Sequence, residues 1–234
     1  MNVYFDNAAT TSIRKEVIDK MSFVMKEAYG NPSSTHSFGR KSKSYLENAR
    51  KSIASILNAE PQEIIFTSGG TESDNMIIQR AVSDLNVKTI ISSPIEHHAV
   101  IHAIENLDNI KYNNVFLTKD GSVDLEHLEK LLVENNDIKL VSLMHVNNEI
   151  GNILDLKKVG ELCKNNNAYF HTDAVQGIGH FEINLKELSI DFLSAAAHKF
   201  HGPKGVGFSF IRKNSGLKGL IHGGEQERGL RAGT

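Results

Sequence analysis

Residues 63–85, EIIFTSGGTESDNMIIQRAVSDL, change their hydrophobic period at a Gly-Gly turn. EIIFTS (63–68) reads as a short apolar strand, and the spacing from Thr71 to Leu85 predicts an amphipathic helix. The same alternation recurs along the chain. KTIISSP (88–94), KLVSLMHV (139–146), AYFHTDAV (168–175), DFLSAAA (191–197) and GVGFSFI (205–211) read as strands. Helical patterns cover 41–59, 98–107, 125–136 and 155–166. Short apolar strands alternating with helices predict an α/β fold, with a mainly parallel sheet covered on both faces. In such sheets ligands bind beyond the carboxyl ends of the strands, so the residues that follow each strand carry the functional reading.

The chain has 234 residues, 40% of them hydrophobic, enough to bury a substantial core as one large or two small domains. Its net charge of -2, with both signs interspersed, gives no argument for nucleic acid or an anionic membrane as partner and favours small-molecule chemistry. The single cysteine, Cys163, excludes an intrachain disulfide and argues against a cysteine-based zinc site. It falls in the helical pattern DLKKVGELCKNN, where a buried structural thiol is expected. No secretory signal and no membrane-spanning apolar run is read, so a cytoplasmic protein in a reducing compartment is expected.

Successive strand ends carry polar groups of distinct chemistry. After strand 63–68, Gly70 and Thr71 open a helix whose free N–H groups favour an anion; the competing reading is a capping box from Thr71 to Asp74 that needs no ligand. After strand 88–94 come His97 and His98, with His102 a turn further on. The last two have helical spacing for a metal but lack an HExxH pattern, whereas His97 is placed to stack on a heteroaromatic ring. After strand 139–146 stands NNEIGN. Asp173 sits in an otherwise apolar stretch, where a carboxylate needs a cationic partner, and Gln176 follows it; a structural ion pair or a helix cap is the competing reading.

Lys199 lies between two histidines in SAAAHKFHGPKGVGF, where an apolar run gives way to a Gly/Pro loop. An isolated lysine is ordinarily a solvated charge. A partly desolvated lysine at a strand end, one connection after Asp173, is instead suited to form a Schiff base. A buried carboxylate opposite a protonated pyridine nitrogen completes the chemistry of pyridoxal 5'-phosphate, with Gly70, Thr71 and His198 around its phosphate.

Taken in order, YFDNAATT, GNPSSTHSFGR, FTSGGTESDN, EHHAV, HVNNEIG, HTDAVQGIG, SAAAHKFHGPKGVGF and HGGEQERGLRAGT resemble the N-terminal part of class V pyridoxal-phosphate enzymes, closest to the cysteine desulfurases. The resemblance implies the large domain of fold-type I pyridoxal-phosphate transferases, with a seven-stranded type of sheet. It implies a homodimer that converts L-cysteine to L-alanine and passes sulfur, through a protein persulfide, to an iron–sulfur scaffold or another acceptor protein. It implies roles for Lys199 as the cofactor-bearing lysine and α-proton base, for His97 on the pyridine ring and in proton transfer, and for Asp173 at the ring nitrogen. Gln176 and Asn148 would lie at the ring hydroxyl oxygen, Thr71 and His198 at the phosphate, and Thr234 at the phosphate of the other subunit.

Two departures qualify the resemblance. Ala196 stands where the family commonly has a phosphate-bonding serine, so cofactor affinity is expected to be lower by about 1.5–3 kcal/mol. The family's small domain, with its persulfide cysteine and substrate-binding arginine, has no counterpart up to Thr234, so this chain is expected to be inactive alone. Residues 1–13 are expected to join the small domain and the edge of the site, and 14–234 to form the cofactor-binding domain. Selenocysteine lyase or another class V enzyme, a non-catalytic truncated paralogue and a histidine-based metal hydrolase are the competing readings.

Overall fold

A computed structural model describes residues 1–234. Seven strands form one sheet: β1 (Ile64–Thr67), β2 (Thr89–Ser92), β3 (Lys111–Asn114), β4 (Lys139–Ser142), β5 (Tyr169–Asp173), β6 (Phe192–Ala196) and β7 (Gly207–Ile211). Their spatial order is β1-β7-β6-β5-β4-β2-β3. Strands β3, β2, β4, β5 and β6 are parallel, and β7 runs antiparallel between β6 and β1. The mainly parallel α/β architecture is therefore the one the alternating periods predict.

Neighbouring residues within each strand feed opposite cores, because side chains alternate across a sheet. Ile64, Ile91, Val141, Phe170 and Leu193 pack with helices α2 (Ser37–Leu57), α5 (Leu125–Val133) and α6 (Leu156–Asn165). Ile65, Ile90, Leu140 and Phe192 pack with α3 (Gly70–Leu85) and α4 (His98–Glu105) on the other face. Cys163 is buried in the first of these cores, as the helical spacing predicts.

Two elements lie outside the sequence reading. Strand β3, KYNN, pairs only with β2 at the sheet edge and has no buried residue, so it lacks the apolar signature of its neighbours. Helix α1 (Lys15–Glu27) also buries no residue. No helix is long and apolar enough to cross a membrane.

The strand ends are held by distant segments. Residues 8–14 cross the turn that follows β6, and Thr11 N–H donates to the carbonyl of His198 at 2.9 Å. The segment 225–231 is fastened to the body by Glu227, which takes two bonds from Arg50 of α2 at 2.6 and 2.7 Å. Arg231 bonds Glu72 in the first turn of α3 at 2.9 Å.

Candidate active site

The Gly-Gly turn places the start of α3 against the ends of β5 and β6. Gly69 adopts φ 154°, and a Cβ on Gly70 would stand 2.6 Å from Val175 Cγ2, so the close approach requires glycine. The helix begins at Gly70 with Gly69 as its cap, which corrects the capping-box reading of Thr71 and Asp74. Asp74 is instead fully buried beneath the site, and Glu72 accepts the Ser68 N–H at 2.9 Å. The N–H groups at Gly70 and Thr71 belong to the unsatisfied first turn and favour an anion there. Thr71 is exposed beside them.

Asp173 ends β5 and is 5% exposed. Its Oδ1 accepts the Val175 N–H at 2.9 Å, and no protein cation comes within ion-pair distance, which removes the structural ion pair as its explanation. Burial, helped by the nearby charge of Asp74, pushes its carboxyl up to about 7, while His171 and His97 pull the other way. Lys199 closes a single turn of 3-10 helix after β6 and is half-buried. Burial lowers its amine, against the opposing fields of Asp173 and Asp6. The lysine and the aspartate thus lie at the neighbouring ends of β6 and β5, the amine within the field of the carboxyl. That meets the requirement for a nucleophilic amine beside a carboxyl able to balance a ring cation.

His97 caps α4, its Nδ1 accepting the Ala99 N–H at 3.1 Å, and the ring is exposed. In the neutral ring the proton therefore sits on Nε2. The His98 and His102 rings lie 5.0 Å apart between centroids, tilted by 40°, and no group of three or more His, Cys, Asp or Glu is arranged to hold a metal. Gln176 Nε2 donates to the Ala8 carbonyl at 2.8 Å, and Lys199 Nζ donates to the same oxygen. Next to it, the His198 ring contacts Thr10 Oγ1 at 3.2 Å.

Gly70, Thr71, His97, Asp173, Gln176, His198 and Lys199 accordingly gather at one edge of the sheet. Asn148 is half-buried in the loop after β4, and its amide bonds Glu149. Its neighbour Asn147 holds that loop, donating to the Ile95 carbonyl at 2.8 Å and accepting from the N–H groups of Glu149 and Ile150. Thr234 is exposed and lines a cleft of about 760 Å³ with Arg50, Ser68, Arg228 and Arg231.

Among the buried titratable groups whose burial sequence reasoning missed are Asp74, Glu96 and His171. Burial raises Asp74 to about 7 and Glu96 to about 8, and lowers His171 to about 4. His171 had a legible signal, since it stands two residues before Asp173 and so shares its face of the strand. The residues present fit pyridoxal 5'-phosphate: a glycine-made helix start for the phosphate, a desolvated amine, and a buried carboxyl without a protein cation.

The family model for aminotransferase class V matches residues 3–230. A curated cysteine desulfurase IscS of Dictyoglomus turgidum is 48% identical over 236 residues, covering 99% of this chain and 59% of that protein. The mitochondrial cysteine desulfurase of Saccharomyces cerevisiae is 43% identical, with 99% of this chain and 48% of that protein covered. The chain thus spans about three-fifths or less of the length of these curated relatives. Among solved structures, a NifS-like protein superposes with TM-score 0.96 at 44% identity, covering all of this chain and 65% of that one. A structure of SspA in complex with cysteine gives 0.94 at 34% identity, covering all of this chain and 68% of that one.

Proposed function

Since the chain belongs to the aminotransferase class-V family, we propose that its site binds pyridoxal 5'-phosphate and serves a cysteine desulfurase that takes sulfur from L-cysteine and leaves L-alanine. The observation that carries the chemistry is the half-buried Lys199 amine at the end of β6, within the field of the buried Asp173 carboxyl at the end of β5, which has no protein cation as partner. The choice of L-cysteine is supported by the desulfurases that resemble the chain and by the cysteine-bound relative.

When bound, the cofactor supplies an electrophilic carbon and an electron-withdrawing ring. Lys199 holds it covalently and, as a free amine, takes the α-proton of the substrate. Asp173 keeps the ring nitrogen protonated. Gly70 and Thr71 at the helix start, with His198, hold the phosphate, and Gln176 and Asn148 serve the ring hydroxyl and the substrate. His97, whose Nδ1 is taken up by the Ala99 N–H, assists proton transfer through Nε2. Thr234 completes the phosphate site of a second subunit in a homodimer, and residues 1–13 form the site's edge beside the domain made by residues 14–234.

The sulfur passes to a protein thiol as a persulfide, and from there to an iron–sulfur scaffold or another acceptor protein. Cys163 is not that thiol, because it is 1% exposed and burial pushes it far above the usual thiol range. Borohydride reduction of cofactor-loaded protein followed by peptide mapping tests the assignment. A pyridoxyl label on Lys199 is expected; a label on Lys204, or none in folded, loaded protein, would refute it.

A further inference from the structure

The turn that carries Lys199 is closed by the Phe200 and Gly202 N–H groups, which donate to the Ala197 carbonyl at 3.1 and 2.8 Å, but the N–H and carbonyl of His201 find their partners outside it. His201 adopts φ 68°, in the left-handed region that a residue with a side chain seldom enters, so neighbouring contacts must stabilise it. Those contacts come from a segment far away in sequence. Thr11 is 7% exposed, and its Oγ1 both donates to the His198 carbonyl and accepts the His201 N–H, each at 2.8 Å. The two residues it joins stand one before and two after the lysine. Arg14 N–H donates to the His201 carbonyl at 3.1 Å, and His201 Nδ1 lies 3.0 Å from the Ser12 carbonyl. Just upstream, the Ala8 carbonyl receives both Lys199 and Gln176.

We propose that residues 8–14 place the catalytic lysine, with Thr11 as the positioning residue that locks its turn and the Ala8 carbonyl as the rest for its free amine. The identity of the ligand rests on the cofactor reading above; the lock is a property of the chain alone. A backbone carbonyl suits this task because it only accepts hydrogen bonds. A neutral amine resting on it uses an N–H and keeps its lone pair for the proton it must take. A carboxylate at the same place would hold the amine as an ammonium.

The test compares Thr11→Val, Thr11→Ala and Thr11→Ser in cofactor-free protein, with two ligands. Pyridoxal 5'-phosphate needs the lysine; pyridoxine 5'-phosphate, an alcohol without the aldehyde, needs only the pocket. The expected result is that Thr11→Val and Thr11→Ala attach the aldehyde to Lys199 at least about tenfold more slowly, while Thr11→Ser keeps the wild-type rate. Affinity for pyridoxine 5'-phosphate should be retained in all three. Attachment at the wild-type rate in folded Thr11→Val, or an equal loss for both ligands, would overturn the proposal. Amide exchange at residues 199–202 reads the lock without any ligand, and should be at least about tenfold faster in Thr11→Ala than in Thr11→Ser. Uptake of neither ligand by the wild type would refute the cofactor reading and leave the lock to be decided by exchange, where equal rates refute it. If Thr11→Val does not fold, Thr11→Ala decides.

Discussion

His171 Nε2 lies 3.5 Å from Asp74 Oδ1 in the full interior, yet the two do not form an ion pair. Burial holds the imidazole neutral, at about 4, and lifts the carboxyl to about 7. The ring is instead bound through hydroxyls, with Ser142 Oγ at 2.9 Å and Ser194 Oγ at 3.1 Å. Asp173, on the same face of β5, therefore has a neutral histidine behind it and two further buried carboxyls nearby: Asp74 raises Asp173, and both of these raise Glu96.

This arrangement sets the pH dependence of the cofactor-free protein. Asp74, Asp173 and Glu96 have folded values raised to about 7, 7 and 8, so the folded state binds more protons than the unfolded state above pH about 4. The stability tied to their protonation is full below that pH and is lost as pH rises towards 8. His171 acts with the opposite sign, but only between pH about 4 and 6.5, where the unfolded state binds the extra proton. The three carboxyls outweigh it. The thermal midpoint should fall by at least about 5 °C from pH 5 to pH 8, the equivalent of a few kcal/mol. A higher midpoint at pH 8 would show these carboxyls ionised at little cost in the folded protein.

Replacing Asp173 by Asn should separate folding from chemistry. The amide keeps the volume and cannot ionise, so the cofactor-free variant should equal or exceed the wild type in stability at pH 8. In the whole enzyme with cofactor bound, the amide cannot balance a protonated ring nitrogen, and exchange of the substrate α-proton should fall by about 100-fold or more. Unchanged exchange at saturating cofactor would remove Asp173 from the mechanism.

Arg50 and Glu227 give a second separation. Arg50 is 1% exposed, lies 4.8 Å over the Phe66 ring and donates to the Ile64 carbonyl, so its charge is fully committed to the interior. Glu227 also accepts the Phe66 N–H at 2.8 Å. Glu227→Ala leaves the buried guanidinium with only Glu47, 3.1 Å from Nε, and two unmet N–H groups, and should cost about 3 kcal/mol in denaturant unfolding. It should also expose residues 225–234 to protease. A cost under about 1 kcal/mol would place the pair among weak surface bridges.

Cys163 should stay unreacted with a thiol reagent in native protein and react fully once the chain is unfolded. Its burial in the α6 core both blocks access and disfavours the thiolate. Rapid native labelling at neutral pH would contradict that burial.

Sharing of sites between subunits is tested by complementation of the whole enzyme. Lys199→Ala and Thr234→Ala subunits, each inactive alone, should give active heterodimers on mixing if Thr234 serves the opposite phosphate. Verified exchange without recovered activity would place Thr234 in its own subunit's site.

The sheet was legible where burial on both faces made a strand continuously apolar. Strand β3 escaped because an edge strand can be KYNN, and α1 because a helix with no buried face leaves no apolar stripe to detect. Lys199 and Asp173 were legible because strand ends in a parallel sheet converge. The burial of Asp74, offered only as the partner of Thr71 in a competing capping-box reading, was not legible, since a buried carboxyl and a solvated one share the same letter. The Thr11 lock joins residues almost the whole chain apart, a separation that no local pattern encodes.

The sheet order carries a consequence for how the chain is made. Phe66 of β1 pairs with Phe208 of β7, and the only neighbour of β1 in this sheet is therefore the last of its seven strands to be synthesised. The parallel strands from β2 to β6 can assemble while the ribosome is still working. At about 5–20 residues per second, β1 waits on the order of 10 s with its hydrogen-bonding edge unmet. In that interval IIFT presents an apolar, unpaired strand edge, and a nascent chain stalled before Gly207 keeps it unpaired and open to a chaperone.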